Sequence, residues 1–156
     1  MNRIISGALA GFAATAPMTL VMLVFHRWPR HEAEPLPPQQ ITEEIAERTG
    51  LESHLDENRL TVATGAAHFG FGAAGGAVYG LLADKIPLPP ALKGAVWGLM
   101  VWSVSYLGWI PAARILRPAT QHSAQRNGLM IAAHLVWGVA MAFLAETVAQ
   151  DEKEEV

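Results

Sequence analysis

No aspartate, glutamate, lysine or arginine occurs in residues 4–26, 60–83, 94–113 or 127–145, and each stretch is 19 to 24 residues long. The hydrocarbon core of a bilayer is about 30 Å thick and takes roughly 20 helical residues to cross. Four such segments in a chain of 156 residues leave little material for a water-soluble domain. Helices apolar on every side can also fill the core of a large protein, but a chain this short has no core in which to hide four of them. Strands are disfavoured, because the segments are too long and lack polar/apolar alternation. The expected fold is therefore all-α: a four-helix transmembrane bundle with helices over about 4–26, 60–83, 91–113 and 127–148, forming one integral membrane domain over 1–156.

Composition agrees. Only 16% of the residues are charged, against roughly 25% in a typical soluble domain. Arg3, an apolar run and Ala14-Thr15-Ala16 imitate a cleaved signal peptide, but Pro17 would follow the cut and the apolar run continues to Phe25. A retained first helix is expected. The absence of cysteine removes thiolate metal sites, covalent c-type haem attachment and disulfides. A net charge of −3 gives no reason to expect nucleic acid as a partner.

The segment 27–59 is polar and opens with Pro35-Leu36-Pro37-Pro38. In 39–49, Ile41, Ile45 and Arg48 share one helical face and Gly50 ends the run, so a short amphipathic helix at the membrane surface is expected. A solvated loop helix fits the same residues. Eight acids against four arginines in this loop argue against strong attraction to anionic lipid. Ser53 is expected to cap the turn that leads into the second long helix. The proline string returns at Pro87–Pro90, Arg114, Arg117 and Arg126 mark a basic third connection, and the acidic tail 151–156 is expected to fray. Arg27, Arg30, Arg48, Arg59, Arg114, Arg117 and Arg126 fall on one side, and Arg3, Lys85, Lys93 and Lys153 on the other. Seven cations against four favour loops 27–59 and 114–126 in the cytoplasm. Trp28 and Trp109 fall near the same interface, as in an aromatic belt.

The chain also repeats itself. Ala66-Ala67-His68-Phe69-Gly70-Phe71-Gly72 is matched by Ala132-Ala133-His134-Leu135-Val136-Trp137-Gly138, and Gly7-Ala8-Leu9-Ala10-Gly11-Phe12 by Gly94-Ala95-Val96-Trp97-Gly98-Leu99. The first two long helices thus match the last two in order, as in a parallel duplication of a helical hairpin about an axis along the membrane normal. His68 and His134 each stand seven residues inside their segments, at Thr61 plus seven and Asn127 plus seven. At 1.5 Å per residue both rings lie about 10 Å below the same boundary. Gly7 and Gly11, Gly72, Gly76 and Gly80, and Gly94 and Gly98 recur every four residues. In lipid such small residues let helix backbones approach closely, a glycine zipper.

A histidine in hydrocarbon needs a partner and marks a functional site by default. Three readings of the pair compete. In the first, each neutral ring bonds to a carbonyl or to Thr15, Ser103, Ser105 or Tyr106, and the protein is a structural or accessory membrane component. In the second, His68 and His134 ligate a single metal ion or a b-type haem, with Gly72 and Gly138 leaving room for the ring. In the third, the pair carries or senses protons, but no acidic or basic partner lies within the segments. A small transporter or channel would have to build its pathway by oligomerising. His26, at the end of the first apolar segment, and His31, His54 and His122, outside the segments, read as solvated residues. No nucleophile and base stand at a recognisable spacing, so nothing argues for an enzyme. On every reading His68→Leu is expected to disturb the protein more than replacing a loop histidine. The lipid bilayer is the one partner expected throughout, with further copies or a larger membrane complex beside it.

The opening Gly7-Ala8-Leu9-Ala10-Gly11, followed by Ala16-Pro17-Met18-Thr19, and the closing Ala133-His134-Leu135-Val136-Trp137-Gly138 resemble uncharacterised bacterial inner-membrane proteins of the YagU-like type. The resemblance implies a bacterial inner-membrane protein and carries no assigned chemistry or functional residue.

Overall fold

The computed structural model describes residues 2–26 and 34–154, and among them there are helices and turns but no strand. Four helices are long and apolar enough to cross a membrane: α1 (Arg3–His26), α3 (Glu57–Leu82), α4 (Pro90–Ala112) and α5 (Ala124–Glu154). Between the first two runs α2 (Pro37–Thr49). Arg27, Trp28, Arg30 and His31, which entered the charge count, the aromatic belt and the loop histidines, lie outside the described residues. Helix α5 continues to Glu154, through most of the acidic run expected to fray; residues 155–156 lie outside the description.

Local chemistry sets the ends. Helix α2 begins on Pro37 and Pro38, whose missing N–H groups are no loss in a first turn. It ends at Gly50, which takes the left-handed conformation (φ 70°) that a side chain would oppose. Helix α3 is capped by Asp56 and not by Ser53: the Asp56 carboxylate accepts from the Arg59 N–H at 2.9 Å. A capping acceptor must sit on the extended residue directly before the helix, and Asp56 is that residue (ψ 170°). Ser53 belongs to a separate short turn, its hydroxyl 3.2 Å from His54 Nδ1. Within α4, residues Val104–Trp109 wind into a wider π-helical turn. It lies directly before Pro111, which has no N–H to offer the carbonyl of Leu107.

Small residues share the interior with Tyr79, Trp97, Trp137 and methionines, and many large apolar side chains face outward. Ala14 and Ala133 are 0% exposed, while Leu20 is 61% and Val62 71% exposed. A water-soluble bundle would bury those large side chains. Close backbone contact takes their place. A Cβ on Gly7 or Gly11 would collide with the carbonyl oxygens of Gly76 or Gly72, and a Cβ on Gly94 or Gly98 with those of Gly138 or His134. Gly80 is filled by the backbone of Arg3. One ion pair closes the same end of each hairpin, Arg3–Asp84 at 2.8 Å and Lys93–Glu146 at 3.4 Å.

The four long helices are not arranged evenly. Helix α1 packs on both α3 and α5, and α5 packs on α4, but α3 and α4 have little backbone contact. That outer seam is bridged by rings, Tyr79 against Trp97 at 5.8 Å and Phe71 against Trp109 at 6.2 Å between centroids. A strict twofold would make the α3/α4 pair as close as α1/α5. The hairpins also differ in register: Gly11 meets the Gly72 carbonyl, whereas Gly98 meets that of His134, one helical turn before Gly138.

Candidate functional site

The splayed side of the bundle holds a cavity of about 210 Å³. Thr15 and Met18 of α1 form its floor, with Met130, His134 and Trp137 of α5. Helix α3 contributes His68 and Phe71, and the widened turn of α4 brings Ser105, Tyr106 and Trp109. Ile41, Thr42 and Ile45 of α2 roof it. Both histidines of the repeated motif therefore line one space, and among the described residues no Asp, Glu, Lys or Arg lines it.

The two rings are held differently. His134 is 5% exposed, and its Nδ1 stands 2.8 Å from the Met130 carbonyl oxygen one turn back. A carbonyl only accepts, so Nδ1 carries the proton and donates, and Nε2 keeps its lone pair. Among the described residues no group bonds that Nε2. The edge of Tyr106 meets the ring face at 90°, centroids 5.9 Å apart. His68 is half-buried, and its Nε2 is enclosed without a partner. The hydroxyl of Thr15 does not reach either ring: it donates to the Gly11 carbonyl at 2.8 Å, which also accepts from Trp137 Nε1 at 3.0 Å. Trp137 thereby fastens α5 to α1 and shows the cavity only its ring.

Of the two glycines expected beside the histidines, Gly72 lines the cavity and Gly138 packs against α4. A Cβ at Gly72 would meet Thr15 and Gly11, and one at Gly138 the backbone of Gly94 and Gly98. A volume of about 210 Å³ is below the roughly 300–1,000 Å³ typical of small-molecule pockets, and a haem is larger than most of those ligands. The donor set suits a metal ion poorly as well. Two neutral imidazoles offer no charge to offset a buried cation, and among the described residues no three His, Asp or Glu converge. Of the remaining histidines, His54 bonds with Ser53, and His122 Nε2 donates to the Arg117 carbonyl at 3.1 Å. Burial first, then the neighbouring Arg126, holds the His122 imidazole below its ordinary value. The side chain of His26 lies outside the described residues.

The roof is tied down at both ends. Near the start of α2, Arg126 bonds Glu34 at 3.0 Å and Gln40 Oε1 at 2.8 Å, and Arg117 approaches Glu34 at 3.4 Å. At the other end Arg48 donates two bonds of 2.6 Å, to the carbonyls of Ala113 and Arg114. Arg114 has a positive φ of 56°. These arginines enter a sequence reading as counters of membrane orientation. The sign of their second role was Arg48 itself, a charge on the face that carries Ile41 and Ile45. Arg48→Ala is expected to speed amide hydrogen exchange across residues 37–49 by about tenfold, since bonds from a charged donor contribute on the order of 1–3 kcal/mol. Exchange equal to that of the unaltered protein would mean that Arg48 does not hold the roof.

A family model, described as a family of unknown function (DUF6789), matches residues 1–156. No curated protein and no solved structure matches the chain.

Proposed function

We propose that this chain, which belongs to the DUF6789 family of unknown function, is an integral membrane protein that holds a small uncharged molecule between His68 and His134. The observation that carries the reading is His134 Nε2, which bonds no group among the described residues and stands at a cavity that both imidazoles line. In a purely structural or accessory role both rings would be expected to spend their polar atoms on neighbouring helices, because an unmet polar group in an apolar interior costs about 1–3 kcal/mol. A haem or metal site is the weaker reading, for the reasons of volume and charge given above.

Membrane insertion is supported by the four apolar helices, by the large side chains on the outside and by the glycine contacts inside. Arginine excess favours loops 27–59 and 114–126 in the cytoplasm, and the YagU-like patches point to a bacterial inner membrane. The paired glycine steps support a duplicated hairpin whose halves have since shifted by one turn. The outward apolar faces meet lipid, and further copies or a larger membrane complex would pack on them.

Benzene tests the reading by size alone, since an apolar cavity of about 150 Å³ is enough to bind it. In lipid nanodiscs, saturating benzene is expected to raise the melting temperature of the protein. Thr42→Trp fills the cavity from the roof without touching the four long helices, and should abolish that rise. A melting temperature indifferent to benzene in the unaltered protein would refute the cavity as a binding site.

A further inference from the structure

We infer that the molecule held in this cavity is a neutral, hydroxylated single ring, a phenol or hydroquinone, whose hydroxyl donates to His134 Nε2. The inference rests on the cavity being a binding site and adds the chemistry of what fills it. Its first ground is the tautomer. Because Nδ1 of His134 is committed to the Met130 carbonyl at 2.8 Å, Nε2 can only accept. The ligand must therefore bring a donor.

The second ground is charge. Among the described residues no ionised side chain lines the cavity, and a buried ion without a counter-charge is strongly disfavoured. The donor is thus a neutral hydroxyl rather than an ammonium. His68 lines the same cavity, with its Nε2 enclosed and unbonded among the described residues.

The third ground is shape. Trp137, Tyr106, Trp109 and Phe71 put aromatic faces and edges around the space from three helices. Rings favour offset or edge-on contact with another ring. A volume of about 210 Å³ exceeds the roughly 150 Å³ that suffices for benzene and admits one ring with a short substituent.

Two sources share this chemistry: a free phenol, and the head group of a lipid-borne quinol. The second would need an exit for its tail. Phe71 and Trp109 line the cavity and are also 47% and 42% exposed on the outside of the bundle, at the α3/α4 seam.

The test compares 4-ethylphenol with 4-ethylanisole, which keeps the ring and oxygen but lacks the donor, in nanodiscs and with lipid partition corrected. Phenol is expected to bind about tenfold more tightly, the effect of one hydrogen bond to a buried acceptor. His134→Phe should erase the difference. Should that variant fail to fold, ¹⁵N-histidine spectra of the unaltered protein decide: 4-ethylphenol should shift the His134 Nε2 resonance upfield, and 4-ethylanisole should not. Equal binding of phenol and ether, or a resonance unmoved with phenol bound, overturns the inference while leaving a benzene-binding cavity intact. Failure of benzene and of both ring compounds overturns the cavity reading as well. A prenylated hydroquinone arm then separates the sources: binding tighter than the untailed hydroquinone assigns a lipid-borne ligand, and weaker binding a free phenol, either being the chemistry inferred.

Discussion

Gly76→Leu is expected to break the α1/α3 hairpin, lowering the melting temperature in detergent by about 10 °C or more or preventing recovery of a monodisperse protein. The atoms in the way are main-chain atoms. A Cβ at Gly76 would collide with the Gly7 carbonyl oxygen and stand 2.8 Å from Gly11 Cα. A crowded side chain can rotate aside, whereas a crowded helix must move bodily and take its other contacts with it. Helix α1 also carries the Gly11 carbonyl that receives Trp137, so the displacement would spread to α5. Gly65→Ala is the matched control, because nothing lies within 4 Å of a Cβ there. Comparable melting temperatures for the two variants would show that the close approach at Gly76 contributes little to stability.

His68→Leu is expected to do the reverse of what the sequence suggests, raising the melting temperature of the ligand-free protein by about 2–4 °C while leaving benzene binding in place. A histidine deep in an apolar helix reads as a group that holds its surroundings together. In the structure its Nε2 is enclosed with nothing to bond, so leucine would remove an unmet polar atom at little cost in packing. Sites shaped for a ligand often carry such a burden when empty. Melting curves of His68→Leu and His54→Leu in one detergent measure it. A marked loss of stability in His68→Leu alone would return the ring to a structural role.

Much of the fold was legible because it depends on properties that a sequence carries openly. Charge-free length gave the four apolar helices, and the shared face of Ile41, Ile45 and Arg48 marked α2. The four-residue glycine steps named residues that do meet across helices, Gly7 with Gly76 and Gly94 with Gly138. Depth counted along the helices was enough to bring His68 and His134 to one level. What stayed hidden was pairing. Nothing in the repeat says that its two copies close one turn out of register, and that offset accompanies the unequal packing of α1 on α5 and α3 on α4. Ser53 and Asp56 are both respectable caps by residue type, and only backbone conformation chose between them. The π-turn that presents Ser105, Tyr106 and Trp109 depends on how α4 accommodates Pro111, a matter of hydrogen-bond geometry rather than composition.

Glycine contacts join α1 to α3 and α4 to α5 backbone on backbone, and Trp137 joins α1 to α5, while α3 and α4 face each other mainly through rings. The bundle thus has a stiff spine and one compliant edge, and the cavity lies at the edge. Main chains in contact can neither compress nor separate by small degrees, so among the four long helices it is the seam whose widening or narrowing changes the volume beside the histidines. In a membrane that seam borders lipid, and the lateral pressure of the bilayer acts directly across it. Bilayers that differ in lateral pressure would therefore set different cavity volumes in the same protein, without any residue of the site being altered.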